Sequence, residues 1–443
     1  MIKDMTDGKP IRLMIHFSLP LLLSNSLQLL YTVADSAIVG RMLGVNAFAS
    51  VGATASPHWL VLSAVIGMSY GFGTVFAQRF GSKDMDGVRR AFVTAACLAA
   101  ALSAFIGALG ALGCGAALRL LHTPPELMDG AVIYLSWLLG GMPIAFAYNL
   151  LSAMLYALGD SRTPLRAMAV SSVLNIVLDL VFIIPLGIAG VGLATLLAQA
   201  AASVYCFFAL RKTGVLNGCG FRWDTASAAA LLRLGLPLGF RNVVVEIGGL
   251  AVQRYVNGYG AEFVAGVAAA KRMYSLLMIA GGAFEATVAV FVAQNFGAGR
   301  YDRVKRGVSN GLWLMLASAA VIMAVVLPFG RFILGLLIEG EPTQVAAVLD
   351  VGTRQLNVLA LGLPALYLLL LYRSALQGAG NTLIPMLSGF LELLLRVSSV
   401  LLLTPFLGKR GIFLSDPAAW AGACVLLFIS YMIVYRKLDS QQT

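Results

Sequence analysis

Several acids and amides of this chain lie inside long apolar runs, where their side chains could hold a proton or a cation. The first group recurs at steps of three, four and three residues: Asn25, Gln28, Thr32 and Asp35. A second group recurs at steps of four: Ser171, Asn175 and Asp179. A helix turns once in about 3.6 residues, so each spacing predicts a polar stripe on one face of an otherwise apolar helix.

Asp35 and Asp179 carry the chemistry of these stripes. A carboxylate at the centre of a bilayer costs about 2.5–3.5 kcal/mol on insertion scales, so we expect both stripes to face a polar interior. A low dielectric disfavours the ionised acid, which would let these groups take up and release protons. Two other interpretations stay open. The acids could coordinate Na⁺ with oxygens of Asn175 and Thr195, or they could form a structural hydrogen bond or ion pair between helices.

The second half of the chain carries a different polar set. Asn242, Glu246 and Gln253 share one apolar run with Arg241, and Glu285 lies in the next run. Glu246 is the strongest candidate there for contact with a substrate. We predict a substrate cavity to which both halves contribute: Asn25, Gln28, Thr32, Asn242, Glu246 and Gln253.

Glu392 and Arg396 are two further charges inside an apolar run, four residues apart. Side chains at this spacing meet on one face of a helix, and opposite charges there can form a salt bridge. We therefore predict that Glu392 and Arg396 form a structural ion pair that neutralises both charges.

Membrane-spanning helices must position these residues. Of the 443 residues, 59% are hydrophobic and 12% are charged, against about 25% charged in soluble proteins. The apolar runs are continuous, unlike the alternating segments of a membrane β-barrel. We predict an all-α polytopic membrane protein with twelve transmembrane helices, at 12–40, 47–78, 92–118, 130–158, 164–186, 190–210, 229–256, 264–295, 308–338, 349–376, 384–406 and 417–435.

The net charge of +11 is distributed by side of the membrane. With the amino terminus inside, the predicted cytoplasmic segments hold twenty Lys and Arg residues and the opposite segments hold nine. This excess predicts cytoplasmic termini and needs no nucleic-acid partner. The five cysteines, Cys219 among them, lack metal-ligand spacing, and no phosphate-binding glycine-rich loop or catalytic constellation is found. We therefore expect neither an enzyme nor a cofactor.

The chain also repeats itself. AQRFGSKDMDGVRR (77–90) matches AQNFGAGRYDRVKR (293–306) without gaps, and GMPIAFAYNLLSAMLYALGDSRTP (141–164) parallels GLPALYLLLLYRSALQGAGNTLIP (362–385). An even number of helices in each half preserves their orientation. We predict two parallel six-helix lobes, 1–210 and 229–443, joined by a cytoplasmic linker at 211–228. Such a duplication favours two lobes that rock about a central site, although a pore or a scaffold could also be duplicated.

Together these features resemble the multidrug and toxic compound extrusion (MATE) family, in its bacterial branch. The resemblance rests on the Asp35 segment, LNIVLDLVFI (174–183), the two AQ-x-FG segments and RSALQGAGNTLIP (373–385), in order across about residues 10–435. It implies two bundles around a V-shaped central cleft and a cation-coupled antiporter that exports organic, often cationic or amphipathic compounds by alternating access. By motif, the family's cation site would fall on Asp35, Asn175, Asp179 and Thr195.

The coupling ion is H⁺ or Na⁺ under this resemblance, and we prefer H⁺ because Glu392 and Arg396 depart from the family pattern in the second half. An exporter or flippase of a lipid-linked or amphiphilic metabolite is an alternative, because Arg241 and Arg396 add buried positive charge. A non-transporting membrane scaffold is a more distant one. We expect a monomeric, multi-pass protein of the bacterial plasma membrane, surrounded by lipid.

Overall fold

A computed structural model describes residues 2–218, 220, 223–336, 338 and 340–439. In this part of the chain every regular element is a helix, and no strand occurs. The long apolar runs account for this, because a helix satisfies its backbone hydrogen bonds internally where no water is available. Cys219 and Arg222 of the predicted linker lie outside the described residues, as does Leu337 of the predicted span 308–338.

The described residues form thirteen helices. They are α1 (Pro10–Leu43), α2 (Val45–Gly81), α3 (Met85–Leu120), α4 (Pro125–Gly140), α5 (Met142–Ala157), α6 (Arg162–Leu186), α7 (Ile188–Lys212), α8 (Thr225–Asn257), α9 (Ala261–Gly297), α10 (Tyr301–Gly335), α11 (Pro342–Gly378), α12 (Leu383–Leu407) and α13 (Lys409–Asp439). Eleven are long and apolar enough to cross a bilayer, and α4 and α5 qualify as a pair. The twelve predicted spans correspond to these eleven helices and the α4–α5 pair.

The α4–α5 pair bends by 45° at Gly141, inside the predicted span 130–158. Pro143 lies in the first turn of α5, where its missing N–H costs no helical hydrogen bond. A Cβ on Gly141 would lie 2.0 Å from the Leu196 Cδ2 of α7, so glycine allows the two chains to approach closely. The sequence therefore predicts the span, whereas the structure divides it into two helices.

The described residues group into two compact units. Unit 1 comprises the residues up to Asp7, Ile15–Phe240 and Ala293–Gly299, and unit 2 comprises Gly8–Met14, Arg241–Val292 and the residues from Arg300 onward. The boundary between the two long segments thus lies within α8, after Phe240. The lobes 1–210 and 229–443, with their linker at 211–228, stay a prediction.

Each unit has its own apolar core. In unit 1 the rings of Phe72 and Phe146 stack with their centroids 6.1 Å apart, and both side chains are fully buried. In unit 2 the rings of Phe263 and Phe413 stack at 5.7 Å. The core of unit 1 includes residues of α2, α3, α4, α5 and α7, so it fixes the helices that surround the first polar site.

The repeated AQ-x-FG segments cross each other within unit 1, where α2 and α9 end. A Cβ on Gly81 would lie 1.9 Å from the carbonyl oxygen of Gln294, and a Cβ on Gly297 would lie 1.9 Å from that of Gln78. A Cβ at either glycine would overlap the partner backbone. The two copies of the repeat therefore form a reciprocal crossing that requires glycine on both helices.

Candidate cation and substrate site

A polar cavity of about 130 Å³ lies inside unit 1, between α1, α2, α5, α6 and α7. Side-chain amides and hydroxyls form part of its wall: Asn25, Gln28, Asn149, Asn175, Thr195 and Gln199. Four tyrosines and five serines complete the polar lining: Tyr31, Tyr70, Tyr148 and Tyr156, with Ser24, Ser69, Ser152, Ser171 and Ser172. Among the described residues that line this cavity, none is an acid or a base. The cavity therefore offers hydrogen bonds and aromatic faces without fixed charge.

The two predicted stripes border this cavity only in part. Asn25, Gln28 and Asn175 line it, whereas Asp35 and Asp179 are buried outside its wall. At about 100° per residue, steps of three, four and three rotate the side-chain direction by about 80° between Asn25 and Asp35. A stripe of that width can face two different surroundings, and here Asp35, at the end of the stripe, lies outside the cavity.

Thr32 of the first stripe lies on the exposed side of α1. Its hydroxyl donates a hydrogen bond to the Gln28 carbonyl oxygen at 2.9 Å, which satisfies the hydroxyl within its own helix. Thr32 does not line the cavity, and its contact with a substrate stays a prediction.

Asp35 of α1 and Asp179 of α6 lie close enough for their carboxyl groups to interact. Asp35 is 7% exposed and Asp179 is 0% exposed. The Oδ1 of Asp35, both carboxyl oxygens of Asp179 and both amide atoms of Asn175 are buried without a hydrogen-bond partner. Within the described residues, no Lys or Arg forms an ion pair with either acid. The three side chains thus form a cluster with unused oxygen atoms.

This cluster fits either a proton or a hard monovalent cation. Two ionised carboxylates offer only acceptors, so neither can satisfy the other and their charges repel. A proton supplies the missing donor, and hard cations prefer oxygen ligands of the kind that Asp35, Asp179 and Asn175 present. The described residues contain no group of three or more His, Cys, Asp or Glu that could hold a metal ion.

Thr195 of α7 lines the cavity. Its hydroxyl donates to the Val191 carbonyl oxygen at 3.1 Å, and the hydroxyl of Tyr134 lies within hydrogen-bonding reach of it. Tyr134, on α4, also lies near both acids. The sequence patterns did not single out Tyr134, because a tyrosine in an apolar run is ordinary in a helical core.

The polar residues predicted in α8 are bound to other side chains of unit 2. Arg241 donates to the Asn242 Oδ1 from Nε at 3.1 Å and from Nη2 at 2.7 Å. Its Nη1 lies 3.8 Å from the Glu285 Oε1. Asn242 and Glu285 thus surround the guanidinium of Arg241, where its charge is partly balanced.

Gln253 and Glu246 lie further along α8. The Gln253 Nε2 donates to the Asn257 Oδ1 at 2.9 Å, and the Gln253 Oε1 accepts from the Lys271 Nζ at 3.2 Å. Glu246 lies within electrostatic reach of Arg396. Contact of Asn242, Glu246 and Gln253 with a substrate stays a prediction.

Glu392 and Arg396 do not form the predicted pair with each other. Glu392 pairs with Arg373 of α11, and the Arg396 Nε lies 2.8 Å from the Asp416 Oδ1 of α13. The Arg396 Nη1 also donates to the Val245 carbonyl oxygen at 3.2 Å. Both charges therefore take partners on neighbouring helices. Spacing along one helix shows which charges share a face but not which residues of other helices face them.

Comparisons with known proteins agree with this architecture. A family model described as MatE matches residues 20–181 and 237–401. The probable multidrug resistance protein YpnP of Bacillus subtilis is 30% identical over 434 residues, covering 97% of this chain and 96% of that protein. A crystal structure of MATE in the bent conformation has a TM-score of 0.90 at 20% identity, covering 99% of this chain and 98% of that one.

A second solved structure, a MOP superfamily transporter from Pyrococcus furiosus, also has a TM-score of 0.90 at 20% identity and covers 98% of each chain. It is described as having a binding pocket of reverse polarity that suggests a different function. At this identity the two solved structures establish the fold alone. The family match and the relative from Bacillus establish more, since they cover most of the chain and belong to transporters rather than enzymes. The resemblance predicted from the motifs is confirmed, and the chain belongs to the MATE family of multidrug efflux transporters.

Proposed function

We propose that this chain is a secondary active antiporter that exports organic compounds in exchange for H⁺ or Na⁺ by alternating access. The observation that carries the proposal is the buried pair Asp35–Asp179, in which three of the four carboxyl oxygens lack hydrogen-bond partners and which lies near a polar cavity. An ion that binds there removes negative charge and relieves the repulsion between the two acids. It thereby favours conformations that hold the acids together over those that separate them.

The coupling site in this proposal comprises Asp35, Asn175, Asp179 and Thr195. We favour H⁺ over Na⁺, because Thr195 borders the cavity whereas the two acids lie outside its wall. Four ligands of one Na⁺ would have to surround a shared space. A proton needs only the two carboxyl groups, which are neighbours. No other cofactor is part of the proposal.

The proposed substrates are organic, often cationic or amphipathic molecules. Tyrosine rings can bind organic cations through their faces, and the cavity of unit 1 carries four of them. Its volume of about 130 Å³ is below the range of about 300–1,000 Å³ that holds drug-sized ligands. Substrate entry therefore requires a wider arrangement than this one. The residues proposed to meet the substrate are Asn25, Gln28, Thr32, Asn242, Glu246 and Gln253.

Reconstituted liposomes test the coupling. Asp35→Asn and Asp179→Asn each replace a titratable carboxyl group with an amide of similar shape, so both variants should fold. We expect both to lose efflux driven by an imposed pH gradient. Asp129→Asn is the matched control, because Asp129 is exposed on α4, and it should transport like the wild type.

Two results would change this assignment. Wild-type efflux in both single variants would move the coupling role elsewhere, with Glu246 as the next candidate. Efflux that follows a Na⁺ gradient but not a pH gradient would make Na⁺ the coupling ion. The two gradients are therefore imposed separately, against a panel of cationic and neutral compounds.

We also propose where the protein acts. The excess of Lys and Arg on one side supports cytoplasmic termini, and the relative from Bacillus supports a bacterial plasma membrane. We propose that the transporter works there as a monomer, surrounded by lipid and without a nucleic-acid partner. Labelling of a single engineered cysteine in residues 2–9 by an impermeant thiol reagent tests the orientation: intact cells should not react, and inverted vesicles should.

Export or flipping of an amphiphilic or lipid-linked metabolite is the second candidate function. Arg241 and Arg396 are buried in unit 2, at 7% and 6% exposure, and could meet an anionic headgroup. Both guanidinium groups already have acidic neighbours, Glu285 and Asp416, which is why this function ranks second. Transbilayer movement of a fluorescent anionic lipid in the same liposomes distinguishes the two.

A further inference from the structure

A larger cavity, of about 990 Å³, opens on the surface of unit 1 beside residue Ile2. It lies between the start of α6 and the end of α7, which are at the same end of the unit. Half of the residues that line it are large or basic side chains of these helices: Arg166, Val170, Val204, Tyr205, Phe208 and Lys212. The cavity is separate from the polar cavity inside unit 1, because the two have no lining residue in common.

Two unpaired cations stand at this cavity on opposite helices. Arg166 and Lys212 are both exposed, and within the described residues neither has an ion pair or a hydrogen bond from its side chain. Asp160 is the acid in the wall, and it is 4% exposed. Its carboxylate accepts hydrogen bonds from the Arg162 N–H at 3.0 Å, the Thr163 N–H at 3.1 Å and the Thr163 hydroxyl at 2.8 Å. The accessible charge is therefore positive.

The remaining wall is apolar and faces outward. Val170, Val204 and Phe208 are 49%, 53% and 53% exposed, on the helix faces that leave the core of unit 1. Tyr205 lines the same cavity and adds a hydroxyl to its wall. Tyrosine is enriched where a membrane helix passes from hydrocarbon to headgroups. The cavity thus combines a cationic end with an apolar surface that acyl chains could cover.

We propose that this cavity binds one anionic phospholipid of the cytoplasmic leaflet. The headgroup phosphate lies between Arg166 and Lys212, and the acyl chains lie along Val170, Val204 and Phe208. Basic pockets between membrane helices on the cytoplasmic side recognise anionic headgroups in this way. A soluble phosphate would leave the apolar wall uncovered. The proposal rests on the proposed function only for the orientation of the termini.

Native mass spectrometry of the purified transporter tests the proposal, with phosphatidylglycerol and phosphatidylcholine as the added lipids. The wild type should retain one phosphatidylglycerol in preference to phosphatidylcholine. Each basic residue near a membrane surface contributes about fivefold to anionic lipid binding, so R166A/K212A should weaken retention roughly thirtyfold. R90A/R211A is the matched control, since it removes two exposed arginines of the same unit that do not line the cavity.

Four results decide the outcome. Equal retention by R166A/K212A and the wild type overturns the site, and equal losses in both double variants reduce it to diffuse attraction. Displacement of the lipid by inorganic phosphate overturns the choice of a lipid as ligand. R166K/K212R keeps both charges and should keep the lipid, which separates charge from misfolding. Because retention is measured without transport, it succeeds or fails independently of efflux.

Discussion

Buried charges in unit 2 are held in pairs that join different helices. Glu392 of α12 and Arg373 of α11 have side chains only 3% and 7% exposed, and Arg373 also donates to the Ser388 hydroxyl at 3.3 Å. Desolvation of two charges offsets most of their attraction, so such a pair adds little net stability. Loss of one partner, however, leaves the other charge buried and unpaired.

This asymmetry gives a prediction for Glu392. Glu392→Gln should lower the free energy of unfolding by about 3–5 kcal/mol, and the double variant E392Q/R373M should recover most of that loss. E392Q/R396M should not recover it, because Arg396 is paired with Asp416. Thermal unfolding in detergent measures all three variants.

The Asp350–Arg354 pair of α11 is the control for this series. Its side chains are 52% and 59% exposed, so Asp350→Asn should cost no more than about 1 kcal/mol. Equal melting temperatures for E392Q and D350N would contradict the assigned buried pair. If E392Q/R396M recovered stability and E392Q/R373M did not, the result would support the Glu392–Arg396 pair predicted from spacing.

The polar residues that interrupt apolar runs were predictable one by one, whereas their partners were not. Asp35 and Asp179 were identified because a carboxylate in lipid needs a compensating environment. Arg373 lies inside the predicted span 349–376, and the structure pairs its buried guanidinium with Glu392. Hydropathy reports the depth of a residue in the membrane. The contact between α11 and α12 decides the partner.

At the scale of the helices, the glycines of the repeat permit contacts that no other residue allows. Gly81 of α2 meets the Gln294 carbonyl of α9 so closely that a Cβ would lie 1.9 Å from its oxygen. Gln294 is fully buried there, and its amide donates to the Ala157 carbonyl oxygen at 2.7 Å. A shift of α9 to admit a methyl group would therefore disturb a buried hydrogen bond as well.

We predict that Gly81→Ala destabilises the protein although alanine favours helix formation by about 1 kcal/mol over glycine. Overpacking of this kind costs about 1–3 kcal/mol. Gly52→Ala in the same helix is the control, because a Cβ there has no neighbour within 4 Å. Melting temperatures should fall for G81A and stay level or rise for G52A. A G81A protein as stable as G52A would mean that α2 and α9 do not cross at this glycine.

The long helices were predictable from the sequence, and one break was not. Continuous apolar runs predict the spans, because their length and hydropathy match the bilayer. At the bend, Leu196 of α7 leaves no room for a Cβ on Gly141, and hydropathy does not record this contact. Gly140, Gly141 and Pro143 carried a local signal for a break, but the apolar run continues through them.

At the scale of the whole molecule, the internal repeat and the compact units divide the chain at different places. The repeat pairs equivalent residues of the two halves, whereas compact units follow contacts. The segment Ala293–Gly299, which includes the end of α9, belongs to unit 1, although the rest of α9 belongs to unit 2. The composition of this segment does not distinguish it from any other helix end.

The stoichiometry of exchange can be predicted from the cluster in unit 1. Two neighbouring buried carboxyl groups resist ionising together, so a single proton or cation is enough to relieve their repulsion. Asp35 and Asp179 should therefore bind one ion in each cycle under the proposed antiport. Exchange of one inward ion for one outward monovalent organic cation moves no net charge. Exchange of the same ion for a neutral compound moves one net charge in each cycle.

A membrane potential should consequently distinguish the two kinds of substrate. A potential of 100 mV is worth about 2.3 kcal/mol per charge, or about fiftyfold in concentration. In liposomes whose membrane potential is clamped with K⁺ and valinomycin, this potential should drive accumulation of a neutral substrate. It should cause no accumulation of a quaternary ammonium substrate. A pH difference of one unit should drive either substrate to a concentration ratio of about tenfold across the membrane, by mass action of one proton. Potential-driven accumulation of the monovalent cation would show that more than one ion enters per cycle, and a second acid such as Glu246 would then have to carry it.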